Sequence, residues 1–148
     1  MADVVDKATR SRMMSGIRGR DTKPELMLRR ELHRRGFRFR LHVRNLPGKP
    51  DIVLPRYRAV VLVHGCFWHG HDCRYFRYPA TRPDFWRKKI ASNRQSDARV
   101  VEALGADGWR VAVVWECATR VPARSFNKLA DSLGKWIRGN RRRREFRE

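Results

Sequence analysis

The stretch VHGCFWHGHDC, Val63 to Cys73, holds two of the chain's three cysteines (Cys66, Cys73) and three of its five histidines (His64, His69, His71). Thiolate sulfur and imidazole nitrogen are donors that suit Zn(II), which takes four ligands in a tetrahedron. Cys66, His71 and Cys73 lie within eight residues and supply three. Cys117 is the remaining cysteine, at the end of the apolar run WRVAVVWEC. If that run is a strand parallel to and beside Ala59–His64, its C-terminal end reaches the loop and closes a Cys3His site. Four protein ligands leave no position for a substrate, so this zinc would be structural. The competing reading is three ordinary buried cysteines and unrelated histidines. An odd, small cysteine count argues against a disulfide framework and for a reducing compartment.

With His71 assigned to the metal, His64 and His69 remain, and Glu25, Asp51 and Asp72 are the acidic candidates. Asp51 opens a strand directly after PGKP, and His64 closes the next one. In a hairpin turning near Tyr57, both fall at the same end. One carboxylate, two imidazoles and a positive surface form a set for Mg2+-assisted phosphodiester cleavage, because Mg2+ prefers oxygen ligands and keeps several waters. A neutral histidine beside the phosphate could accept a proton from the attacking water. Each histidine could equally be a structural residue or a phosphate contact, and Asp51 could simply cap a turn.

A polyanionic substrate agrees with the charge. Thirty-five Lys+Arg against fifteen Asp+Glu give +20. The C-terminal RGNRRRREFRE contains six of those arginines and two of the glutamates, so +16 resides in the body of the chain. A field of this size attracts nucleic acid and makes binding salt-dependent. An anionic membrane surface is disfavoured, because no stretch pairs a clean basic face with a strong apolar one. No run approaches a membrane span, and MADVVDKATRSRMM lacks the apolar core of a secretory signal, so a soluble, cytoplasmic protein is expected.

The elements that must position these groups follow from patterning. The chain's 148 residues fit one domain. Residues 1–20 are polar and basic with a small apolar set, including Met14 and Ile17, and read as an arm. TKPE, Thr22 to Glu25, is a capping box with proline in the first turn, so a helix should run to about Arg35, bury Leu28 and Leu32, and stop at Gly36. FRFRLHV (37–43), DIVLP (51–55), AVVLVHG (59–65) and WRVAVVWEC (109–117) read as strands. Helices are expected from Pro83 to about Leu104, with Asn93, Arg94 and Asp97 amid its apolar positions, and from Ser125 to about Ile137. The order α-β-β-β-α-β-α implies an α/β fold, a mixed central sheet flanked by helices. The domain proper spans 21–138, and the arginine-rich segment 139–148 is expected to be disordered.

ATRSRMMSGIRGRDT, LPGKPDIVLPRYRAVVLVHGCFWHGHDC, PATRPDFWRKKI and GWRVAVVWEC together resemble the Vsr family, the very-short-patch-repair endonucleases that nick DNA beside T:G mismatches. The resemblance spans about Ala2 to Ala118. It implies a restriction-endonuclease-like core with a structural zinc on Cys66, His71, Cys73 and Cys117. It implies Asp51 as the Mg2+ ligand, with the backbone carbonyl of Val63 as a second contact. It implies His69 as general base or water-orienting group, while His64 and Glu25 assist through the phosphate or through water held by the ion. Two departures matter. The Glu-x-Lys usual to restriction folds is missing from AVVLVH, as it is in the Vsr family, and Val63 stands where some members have threonine. A backbone ligand survives that change; a side-chain role would not.

Phe67 and Trp68 are unexpected in a glycine-punctuated polar loop. They could fold back over the zinc as core, or they could insert between base pairs. Apolar wedges unstack DNA at a cost of a few kcal/mol per step, and a wobble pair should open more easily than a matched one. The resemblance supports insertion, with Trp86 joining from the following helix and Met14 and Ile17 approaching from the minor groove. Three functions follow: a Mg2+-dependent endonuclease acting on double-stranded DNA with a T:G mismatch, a zinc-stabilised DNA-binding module without catalysis, and an RNA-associated basic protein. The first needs one active site, so a monomer associated with the bacterial nucleoid is expected, and mismatch-repair proteins are the partners such an activity would meet.

Overall fold

The computed structural model describes residues 21–148. The expected arm, with Met14 and Ile17, lies outside the described residues. Helix α1 (Lys23–Arg34) begins where the sequence demands: Thr22 accepts the Glu25 N–H at 3.5 Å, and Pro24 occupies the first turn. Gly36, at φ +95°, turns the chain out of the helix. Phe37, Leu28 and Leu32 are all buried beneath it.

One five-stranded sheet forms the centre, in the order β1-β2-β3-β4-β5. Strands β1 (Arg40–Leu41), β2 (Ile52–Leu54) and β3 (Ala59–His64) pair antiparallel, while β4 (Arg110–Trp115) and β5 (Arg143–Phe146) run parallel to β3. Alternation divides the buried strand residues between two cores. Val61, Ala112, Val114 and Phe146 face α1 and α4 (Ala123–Arg138), whereas Val60, Val111, Val113 and Trp115 face the long helix α2 (Pro83–Ala106). Among the described residues no helix is long and apolar enough to cross a membrane.

Four local expectations are revised. The strand expected over 37–43 shrinks to two residues, because Phe37 is drawn into the core and His42 adopts φ +50°, which ends extended pairing. The strand expected over 109–117 stops at Trp115 and becomes the short helix α3 (Glu116–Thr119), so Cys117 sits in a helical turn. Helix α4 starts two residues early, with Phe126 and Leu129 only partly buried. The segment 139–148 is not disordered: it supplies β5. Its backbone completes the edge of the sheet, Phe146 is buried, and the arginine side chains stay in water. Charge counting misses this, because an edge strand can pair its backbone while its guanidinium groups remain solvated.

Candidate active site and metal-ligand cluster

Both constellations hang from the ends of two strands. In the β3–β4 register, Ala59 lies opposite Arg110 and His64 opposite Trp115, so the two chains leave the sheet side by side. Cys66 and Cys117 therefore meet just beyond the C-terminal ends of these two inner strands. Cys66 Sγ and Cys117 Sγ each lie 3.6 Å from His71 Nδ1, and one ligand atom from each of Cys66, His71, Cys73 and Cys117 falls within 4.8 Å of the others. A tetrahedron with metal–sulfur and metal–nitrogen lengths of about 2.3 and 2.0–2.1 Å would separate sulfur from nitrogen by roughly 3.6 Å. The donor set thus fits a tetrahedral metal ion. Burial pushes the Cys66 thiol up, a cost that a cation would remove by holding the thiolate. The His71 ring stacks on Trp115 at 4.0 Å, and Trp115 Nε1–H donates to Glu145 of β5 at 3.2 Å. The last residues close the outside: Arg147 pairs with Asp72 at 2.7 Å, and the Glu148 N–H points at Cys117 Sγ at 3.5 Å. Asp72, an acidic candidate from the sequence, is therefore an exposed partner of the C-terminal segment.

The loop between β3 and α2 is pinned from the other side by three consecutive contacts. Asn93 Nδ2 donates to the Trp68 carbonyl at 2.7 Å, Asp97 Oδ2 meets His69 Nδ1 at 2.6 Å, and Arg94 donates to the Gly70 carbonyl. Gly70 sits at φ +60°, where any Cβ would strike Ile90 and Arg94. The polar trio that interrupts the apolar face of α2 is thus the clamp on residues 68–70. Asp97 was missed as a site residue, although that interruption was its signal.

Asp51, Glu25, His64 and His69 line one cavity of about 1250 Å3, with Lys23, Arg44 and Lys49 also on its wall. Asp51 Oδ2 accepts the Val63 N–H at 2.8 Å, which follows from the β2–β3 hairpin. Burial raises its pKa to about 6 against the opposing effect of that hydrogen bond. Among the described residues no Lys or Arg pairs with this carboxylate, and a divalent cation at Oδ1 would supply a counter-charge. Glu25, only 1% exposed, accepts from Arg29 at 2.9 Å and from the Asp21 N–H at 3.2 Å. The Asp97 carboxylate on Nδ1 of His69 fixes that imidazole with Nδ1 protonated, leaving Nε2 as acceptor. His64 stacks on His69 at 3.9 Å with the planes 6° apart. Its Nδ1 is buried and without a hydrogen-bond partner among the described residues, and burial, followed by the neighbouring His69, lowers its pKa to about 3. His64 is therefore a neutral ring backing His69. His42 also lies here and was missed: no chemistry-bearing neighbour marks it in the sequence, and only its left-handed backbone turns it back toward Asp51.

Phe67 and Trp68 form an aromatic cluster with Trp86, at ring distances of 5.3 Å for Phe67–Trp86 and 5.8 Å for Trp68–Trp86. Trp68 is buried, Phe67 and Trp86 are half-buried, and Phe85 and Tyr78 lie exposed nearby.

A family model described as DNA mismatch endonuclease Vsr matches residues 2–75. The type II nicking enzyme V.XorIIP of Xanthomonas oryzae pv. oryzae is 51% identical over 117 residues, 79% of this chain and 86% of its own length. The DNA mismatch endonuclease Vsr of Escherichia coli is 47% identical over 140 residues, 94% of this chain and 90% of its own. The type II nicking enzyme V.NmeAIP of Neisseria meningitidis is 43% identical over 117 residues, 79% of this chain and 84% of its own.

Proposed function

The chain belongs to the DNA mismatch endonuclease Vsr family, and from that premise we propose that it is a divalent-metal-dependent endonuclease that nicks one strand of double-stranded DNA beside a T:G mismatch. The observation that carries the reading is the meeting, in one cation-lined cavity, of an under-compensated carboxylate, Asp51, with a carboxylate-oriented imidazole, His69. A binding module has no need of either.

The net charge of +20 draws the duplex, and Lys23, Arg44 and Lys49 receive its phosphates. Asp51 Oδ1 and the Val63 carbonyl would hold Mg2+, and the chemistry such an ion would supply there is neutralisation and polarisation of the scissile phosphate. His69 Nε2 takes the proton of the attacking water as its oxygen bonds to phosphorus and the opposite P–O bond breaks. Asp97 stabilises the resulting imidazolium. His64 keeps the ring aligned, and Glu25 orders the groups across the cavity.

Recognition of the lesion is assigned to Phe67, Trp68 and Trp86, which enter the stack as a unit. Their mutual packing supports this, because one rigid aromatic body loses less freedom on insertion than separate side chains. Met14 and Ile17 of the arm complete the grip from the minor groove. Cys66, His71, Cys73 and Cys117 would hold zinc, which would stiffen the loop against the force of insertion. The protein works as a monomer. The deciding assay is strand nicking of matched-length T:G and T:A duplexes with and without added Mg2+ or Mn2+: nicks confined to the T:G duplex and dependent on the added ion are expected, and no nicking of either duplex with either ion would leave only the binding module.

A further inference from the structure

We propose that His42 is a direct ligand of the ion at Asp51, making this a mixed nitrogen–oxygen site that favours a first-row transition dication such as Mn2+ over Mg2+. The proposal rests on the reading of Asp51 as metal ligand and deepens it. His42 follows the short β1 strand at φ +50°, a conformation uncommon for residues other than glycine and tolerated by histidine above most others. Its N–H donates to the Asp51 carbonyl at 3.1 Å, so the two residues are tied through the backbone. Its ring presents Nδ1 to Asp51 and Nε2 to two carboxylates, Glu25 and, at 3.4 Å, Asp21. Nδ1 lies 4.0 Å from Asp51 Oδ1, the oxygen not used by Val63, and Nε2 lies 3.1 Å from Glu25 Oε2.

A separation of 4.0 Å is too long for a hydrogen bond but within reach of two donors of one ion: ligands each about 2.1 Å from a shared centre lie roughly 3.0 Å apart when adjacent in an octahedron and at most about 4.2 Å when opposite, so binding in adjacent positions would draw the two groups together. The other contact then has a purpose. A metal-bound imidazole commonly donates its second N–H to a carboxylate, which fixes the ring and raises its basicity. Glu25 is placed for that: it is buried, it is held by Arg29, and its Oε2 faces Nε2. Asp51, His42 and Glu25 thus form a ligand, a ligand and its orienting carboxylate in series. Imidazole nitrogen is a poor donor for Mg2+ and a good one for later first-row ions, so this nitrogen sets the metal preference.

The test uses the zinc-loaded protein with Mn2+ as probe, read by pulsed electron paramagnetic resonance for directly bonded 14N and by titration for affinity. His42→Asn is the informative variant, because asparagine also tolerates a left-handed backbone and removes the imidazole; unchanged zinc content and melting temperature report that it folds. The parent should show 14N coupling that His42→Asn loses, with Mn2+ binding weakened roughly tenfold or more and the Mn2+-over-Mg2+ preference in nicking reduced. Absence of 14N coupling in the parent, or its persistence in His42→Asn, overturns the assignment of His42. Asp51→Asn separates the two levels: if it abolishes Mn2+ binding while the parent shows no nitrogen coupling, the inference fails and the Asp51 reading stands, whereas full Mn2+ binding in Asp51→Asn removes both.

Discussion

The two constellations at the end of the sheet are built from the same loop yet treat water in opposite ways. The Cys66, His71, Cys73 and Cys117 cluster is largely buried, its donors face one another, and β5 with its following residues shuts the outside. The Asp51, His42 and His69 group lines an open cavity, with Oδ1 of Asp51 and Nε2 of His69 left without a hydrogen-bond partner among the described residues. A site that spends every donor internally can only hold structure; a site that leaves donors unspent can act on a substrate. The loop 64–73 joins them, so the closed cluster is what allows the open one to be loose without losing register.

The strongest way to break the comparison is to open the closed side. Cys117→Ser, or chelation, should lose the bound metal and destabilise the whole domain by several kcal/mol, since binding at a closed site is folding free energy. Nicking should vanish with it, because His64 and His69 ride on the same loop. A calorimetric melt and metal analysis check this, and an unchanged melt would mean that the cluster is not a metal site.

Asp51→Asn attacks the open side alone. Nicking should fall roughly a thousandfold or more, several kcal/mol of lost charge stabilisation, while zinc content stays the same and T:G binding is retained. Gel-shift and nicking assays on the same preparation measure both.

The aromatic loop lies between the two regions and gives an intermediate effect. Replacing Phe67 and Trp68 with alanine should lower T:G nicking by about a hundredfold, the cost of a few kcal/mol of unstacking no longer driven by the wedge. Because Trp68 is buried against Trp86, some loss of melting temperature is also expected. A melt lowered as far as in Cys117→Ser, with nicking per folded molecule intact, would make the pair core and not sensor.

The smallest effect is the most diagnostic of openness. Burial holds Asp51 up at about 6, so below that pH its carboxyl is protonated and cannot take a cation. At sub-saturating Mg2+, nicking should rise through about pH 6 and then level. Proton and cation compete for the same oxygen, so raising Mg2+ tenfold should move the midpoint down by up to about one unit. His64, lowered to about 3, stays neutral across this range and does not contribute a limb. A midpoint indifferent to Mg2+ would detach the titration from the metal site.

Much of this was legible in the sequence where residue type carries the chemistry. Cys66, His71 and Cys73 place three soft donors close together in the sequence, and the pairing of β3 with β4 brings Cys117 to them. Asp51 and His64 reach one cavity because a hairpin turning near Tyr57 has no other way to place its ends. His42 and Asp97 were not legible as site residues. One is turned by a single left-handed dihedral angle, and the other arrives from a helix 28 positions away. The arginine-rich end misled because its one buried anchor, Phe146, is outvoted by charge in any composition count.

By itself the sequence determined the donors, the polarity of each strand and the sign of the surface, because these are properties of side chains and of their period along the chain. Only the tertiary structure decided which donors are spent on one another and which are left open. That depends on the approach of β5, α2 and the backbone at His42, and such distances are set by packing between segments that share no local pattern.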